Sequence, residues 1–108
     1  MNSDKELLEL AAKAAGIEPL GKAFEMNGDF AGFCMPARKV WNPLTDDGDA
    51  LRLAVKLRLP IRDGLNGTVT TGNSESGYPI WELYGSDPYA ATRRAVVRAA
   101  AEIGRGLE

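Results

Sequence analysis

Few side chains in this sequence are equipped for chemistry, and their types narrow the field at once. The chain has no histidine and a single cysteine, so the commonest general base and metal ligand is missing and no intramolecular disulfide can close. Cys34 stands between Phe33 and Met35, the setting of a small core hydrophobe, with nothing beside it to activate a nucleophile. The densest carboxylates are Asp46, Asp47 and Asp49, which could pair for acid–base work or hold a cation. A calcium loop, however, needs acids at alternate positions and a closing glutamate, and a zinc set would draw on histidine. The same acids suit the first turn of a helix, with Thr45, Asp46 or Asp47 as its cap and the charges facing the positive end of the dipole. Gly72 and Gly77 have the spacing of a phosphate loop, but no Lys-Ser/Thr follows and a strand, not a helix, comes next. The expectation is no catalytic residue, no cofactor and no metal.

Cations and aromatics remain. Arg94, Arg98 and Arg105 fall within about 40° of one another on a helical projection, opposite the apolar positions. They read as a solvated stripe or as a surface tracking phosphates, with Arg52, Lys56, Arg58 and Arg62 as a second basic strip. Against the phosphate reading stand 13 basic and 15 acidic side chains, net −2, which supply no bulk attraction to nucleic acid or anionic membrane. Arg93 sits instead at the edge of the apolar face, and is expected to pair with Asp46 or Asp47, tying the last helix to the middle one. Trp41 and Trp81, with Tyr84, Tyr78 and Tyr89, are either core or the lining of a protein-binding patch.

Three helices and two hairpins must position these groups. Ser3 and Glu6 form a capping box, Leu7, Leu8, Ala11, Ala12, Ala14 and Ala15 make an apolar stripe, and Gly16 supplies the stop, with Ile17 closing it; a helix from about Asp4 to Ala15 follows. Asn27-Gly28 between Ala23–Met26 and Phe30–Met35 is a hairpin signal, with Gly32 either weakening the second strand or marking a bulge. Ala50–Leu57 is apolar except for Arg52 and Lys56, which predicts a central helix packed on more than one side and closed off by Pro60. Thr68–Thr71 and Pro79–Tyr84 read as a second hairpin around a polar loop. Asp87-Pro88 opens the last helix, whose buried face is expected at Tyr89, Val96, Ala99, Ala100 and Ile103 and whose stop is Gly104. Six alanines between Ala90 and Ala101 allow that helix a close approach to its neighbour.

The order α-β-β-α-β-β-α with short loops predicts one α+β domain over residues 1–106, with helices packed on an antiparallel sheet of three to four strands. Leu107-Glu108 have the form of a cloning remnant. No apolar run is long enough to cross a bilayer, and the polar N-terminus has no secretory signal, so a cytoplasmic protein is expected.

Two stretches, Trp41-Asn42-Pro43-Leu44-Thr45-Asp46-Asp47-Gly48-Asp49-Ala50-Leu51 and Asp87-Pro88-Tyr89-Ala90-Ala91-Thr92-Arg93-Arg94-Ala95-Val96-Val97-Arg98-Ala99, resemble small proteins of tailed bacteriophages and prophages. Their layout is similar to the NinX-like phage family: an aromatic-x-Pro-x-x-Asp segment in the middle, then an alanine-rich helix opened by Asp/Thr-Pro. NinX itself lacks the acidic helix start. The resemblance brings no catalytic residues; it implies a phage accessory protein in the host cytoplasm. Together these readings favour a non-enzymatic protein, a monomer or small homo-oligomer, that binds an unidentified host or phage protein through Trp41, Trp81 and Tyr84. Nucleic-acid contact through Arg94, Arg98 and Arg105 is the alternative.

Overall fold

The structure, a computed structural model, describes residues 3–17, 21–36, 39–63 and 79–107, and the backbone of 68–71. Helix α1 (Asp4–Ala15) starts where the Glu6 N–H donates to Ser3 Oγ over 3.2 Å, while the Ser3 hydroxyl donates to the Glu6 carboxylate over 3.1 Å. It ends at Gly16, φ +72°, where the Ile17 N–H reaches back to the Ala12 carbonyl at 2.9 Å in a Schellman closure. Strands β1 (Ala23–Met26) and β2 (Asp29–Met35) meet across Asn27 and Gly28, both left-handed at φ 54° and 85°, the geometry of a two-residue type I′ turn. The register slips between Phe24 and Glu25, leaving Ala31 as the extra residue of a bulge. Beside it Gly32 holds φ +133°, and a Cβ there would lie 2.7 Å from the Trp41 carbonyl oxygen.

That carbonyl belongs to a strand which the turn-rich sequence concealed. β3 (Lys39–Trp41) pairs antiparallel with β2, placing Trp41 opposite Phe33. Likewise β4 (Ile61–Asp63) joins β5 (Thr68–Thr71) and β6 (Ile80–Leu83). The α+β order holds, but each hairpin has gained a third short strand. The result is two antiparallel sheets, ordered β1-β2-β3 and β4-β5-β6, in place of one. The polar loop expected between Thr71 and Tyr78, and Tyr78 itself, lie outside the described residues.

Helix α2 (Asp47–Leu57) is capped by Asp46, whose Oδ2 accepts the Asp49 N–H at 2.8 Å, and ends at Arg58 in the left-handed region, φ 55°. It is packed on one face only. Asp49, Ala50, Leu53 and Ala54 are buried, whereas Leu51 and Val55 are 61% and 68% exposed, which corrects the expectation of a helix enclosed on several sides. The central element is α3 (Pro88–Gly106), opened by Asp87 Oδ1 accepting the N–H groups of Tyr89 and Ala90, both at 3.1 Å. α3 packs most extensively on α1, and also against α2, β5 and β6. Val96, Ala99 and Ala100 are buried and Ile103 packs against the same core, but Tyr89 is 71% exposed. It precedes the turn at which the helix meets its neighbours.

Gly104 is not the stop that its position suggested. The helix continues to Gly106, and Leu107 caps it by donating its N–H to the Gly104 carbonyl over 3.1 Å. Gly104 is buried where α3 crosses α1, and a Cβ on it would stand 1.9 Å from the Leu10 carbonyl oxygen. Glycine is needed there for space rather than for a left-handed φ. Gly104→Ala is therefore expected to destabilise the protein by about 2–3 kcal/mol through overpacking. Gly106→Ala, with open space around it, should stabilise it by about 0.5–1 kcal/mol from helix propensity. Urea denaturation of the two variants measures the opposite signs.

Candidate functional site

The middle of the chain is fastened to its surroundings by two carboxylates with different environments. Arg93, with only 17% of its side chain exposed, donates through Nε to the Leu44 carbonyl at 2.8 Å and through Nη1 to Asp47 Oδ1 at 2.6 Å. α3 and the start of α2 are thus joined by one guanidinium using two of its donors, the fork geometry that lysine lacks. Asp46 is occupied elsewhere, capping the helix and standing 3.8 Å from Arg52. Asp49 points inward, with a side chain 2% exposed. Its Oδ2 accepts the Asn42 N–H at 3.0 Å, its Oδ1 accepts from Arg52 Nη2 at 2.7 Å, and the Lys39 ammonium stands 3.8 Å away. Asn42, also buried, closes the turn: its Nδ2 donates to the Ala31 carbonyl and its Oδ1 accepts the Leu44 N–H. The position tolerates a buried carboxylate because each of its oxygens accepts a hydrogen bond and a guanidinium pairs with it.

Sequence reasoning missed Asp49 as a core group, assigning it to the first turn of a helix as a partner of the dipole. The available signal was its offset. Asp49 lies four residues before Leu53 and so shares that buried residue's helical face.

The two indoles part company. Trp41 is buried in the core with Phe33, Leu53 and Leu59. Trp81 is 57% exposed, and Leu83, two residues on along the same strand, is 75% exposed. Exposure alternates along β6, with Ile80 and Glu82 on the more covered side. There Ile80 packs, with Tyr84, against Ala91 and Ala95 of α3. The Tyr84 hydroxyl donates to Asp63 across the sheet, and that hydrogen bond to the neutral phenol is the main cause of a pKa raised above the ordinary tyrosine value. Of the three residues expected to share a partner-binding patch, only Trp81 is on the open face of a strand; Leu83 is the neighbour that the sequence reading did not single out.

The three arginines of the α3 stripe each have an acidic partner. Arg94 reaches Asp4 Oδ1 at 3.3 Å, Arg98 pairs with Glu82 and donates to the Trp81 carbonyl at 3.1 Å, and Arg105 pairs with Glu102. Arg94, Arg98 and Arg105, with Glu82, Glu102, Ile80 and Leu7, line an open groove of about 830 Å³. Arg98 also occupies the outer edge of β6, where it covers a carbonyl that an edge strand leaves unpaired. Among the described residues no group of three or more Asp, Glu or Cys is arranged to hold a metal ion, and no helix is long and apolar enough to cross a membrane.

Comparison with protein-family models, with curated proteins and with solved structures finds no match to this chain. The geometry makes one ranking explicit. Asp49→Ala strands the buried Asn42 N–H and should cost about 2–3 kcal/mol. Asp47→Ala removes a carboxylate that is 71% exposed and should cost about 1 kcal/mol or less. Chemical denaturation of the two variants checks the order; equal losses would mean that Asp49 is not the buried anchor.

Proposed function

We propose that this protein is a non-enzymatic accessory protein that acts by binding another protein, and that it does so through the outward face of β6. The observation that carries the reading is the pair Trp81 and Leu83, two large apolar side chains on one face of an edge strand, 57% and 75% exposed. Scattered exposed apolar residues need no explanation, but an indole and a leucine side by side form the kind of small contiguous patch that protein partners cover. Met26, Leu51 and Val55 are also exposed, but none of them stands beside an exposed indole on a strand. The similarity of two segments to the NinX-like family supports placing the protein among accessory proteins of tailed phages and prophages, working in the host cytoplasm on a host or phage protein. The indole anchors the contact, since tryptophan is enriched among the residues that dominate binding energy.

Nucleic-acid contact through Arg94, Arg98 and Arg105 is the weaker reading, because each of these guanidiniums already faces a carboxylate. Phosphate binding there would have to displace Asp4, Glu82 and Glu102.

The test compares the wild-type protein with a Trp81→Ser/Leu83→Lys double variant whose circular dichroism is native. Both are immobilised and exposed to infected-host lysate, and the retained protein is then purified and titrated by calorimetry. The double variant is expected to bind at least about tenfold more weakly, a loss of about 1.4 kcal/mol or more. Equal retention of every species by both forms would overturn the reading. Fluorescence titration with DNA at low ionic strength is expected to show no association; salt-dependent binding that Arg98→Ala abolishes would install the nucleic-acid reading in its place.

A further inference from the structure

We propose that the cleft between the end of α1, β3 and α2 is a binding site for a small organic anion with an apolar body, such as an aromatic carboxylate or phosphate monoester. It is independent of the β6 reading and shares no residue with it.

The cleft has a volume of about 400 Å³, within the range of about 300–1,000 Å³ usual for small-molecule sites. Its lining is of two kinds. Trp41, Leu53 and Ala15 form a floor that is itself buried, and Ile17 and Met35 extend it. An aromatic or aliphatic group laid there exchanges water for apolar contact along the floor. The mouth carries Lys39, Arg52 and Lys56 against a single acid, Asp49. Counting also Asp46, which stands outside the lining 3.8 Å from Arg52, three cations against two acids still leave positive charge in excess at this recess, in a chain whose net charge is −2.

That excess is available to a ligand because both acids are already engaged, Asp46 as the cap of α2 and beside Arg52. Asp49 is buried and accepts from the Asn42 N–H and from Arg52, so it faces its own protein partners. It also holds Arg52 at the rim. The Lys39 ammonium stands 3.8 Å from Asp49, an ion pair without a hydrogen bond, and Lys56 makes no ion pair among the described residues. Both ammonium groups therefore keep donors for an incoming carboxylate or phosphate, and a charged acceptor strengthens those bonds. A neutral ligand would gain only the floor, and a cation would be repelled by the rim. Asp49 is a positioning residue here.

The experiment is a titration of the intact, ¹⁵N-labelled protein at low ionic strength with phenylacetate, phenyl phosphate and the neutral 2-phenylethanol, read by amide chemical shifts. Phenylacetate or phenyl phosphate is expected to move the amides of Ile17, Lys39, Trp41, Leu53 and Lys56 and to saturate at about millimolar concentration or below. The tighter of the two identifies the head group. Phenylethanol should bind at least about tenfold more weakly, and Lys56→Glu, at an exposed position, should weaken the better anion about tenfold while leaving the remaining spectrum native. Three results would overturn the proposal: no saturable shift at these amides, equal binding of the alcohol, or an unchanged affinity in Lys56→Glu. The protein-binding reading of β6 involves none of these residues and is decided by the Trp81→Ser/Leu83→Lys variant, so failure here is distinguishable from failure there.

Discussion

Helices α1 and α3 approach so closely that a single methyl group at Gly104 would collide with the backbone of the other helix. The rest of the architecture depends on that approach. It requires small residues on both sides, and both helices supply them: Ala11, Ala12 and Ala15 on one, Ala99, Ala100 and Gly104 on the other, all buried. Short side chains bring the helix axes together and exchange long-side-chain entropy for dense backbone contact. α3, about 28 Å long at 1.5 Å per residue, then has length enough to receive α2 and the second sheet as well.

With α1 and α3 committed to each other, the fold has few helical faces left for two sheets. The second sheet is covered by α3 on the side of Ile80 and Glu82, where Ala91 and Ala95 leave room for Ile80 and Tyr84. On the other side of β6, Trp81 and Leu83 meet solvent. Their exposure is thus a consequence of how the helices are shared out. The middle segment is fixed more firmly. Arg93 binds the turn before α2 to α3, and Asp49 binds the same turn to Arg52 from beneath. Two of the three carboxylates that reading the sequence tied to a helix start, Asp47 and Asp49, also make contacts beyond the helix.

What was legible in the sequence was local. Ser3 with Glu6, Asn27-Gly28 and Asp87-Pro88 each satisfy or preset a backbone requirement within a few residues, and the elements they announce are present. Features decided by distant neighbours were not legible. Lys39–Trp41 and Ile61–Asp63 are strands only because a longer strand lies beside them to complete their hydrogen bonds. Leu51 and Val55 look like core and are exposed, since periodicity says which residues are apolar but not how many partners a helix will find. Gly104 was read as a stop because the need for left-handed backbone and the need for space call for the same residue. Asp49 was read as a dipole partner because an acid in a first turn is ordinarily solvated. The candidate site suffered from the same limit: Trp41 and Trp81 are chemically alike, and only packing separates one from the other.

That separation is central, with one indole buried in the core and one exposed on β6. Acrylamide quenching of single-tryptophan forms measures it directly. In Trp41→Phe the remaining Trp81 should emit at long wavelength and be readily quenched, whereas in Trp81→Phe the remaining Trp41 should emit at shorter wavelength and resist the quencher. A Trp81 as sheltered as Trp41, or a Trp41 as open as Trp81, would contradict the account.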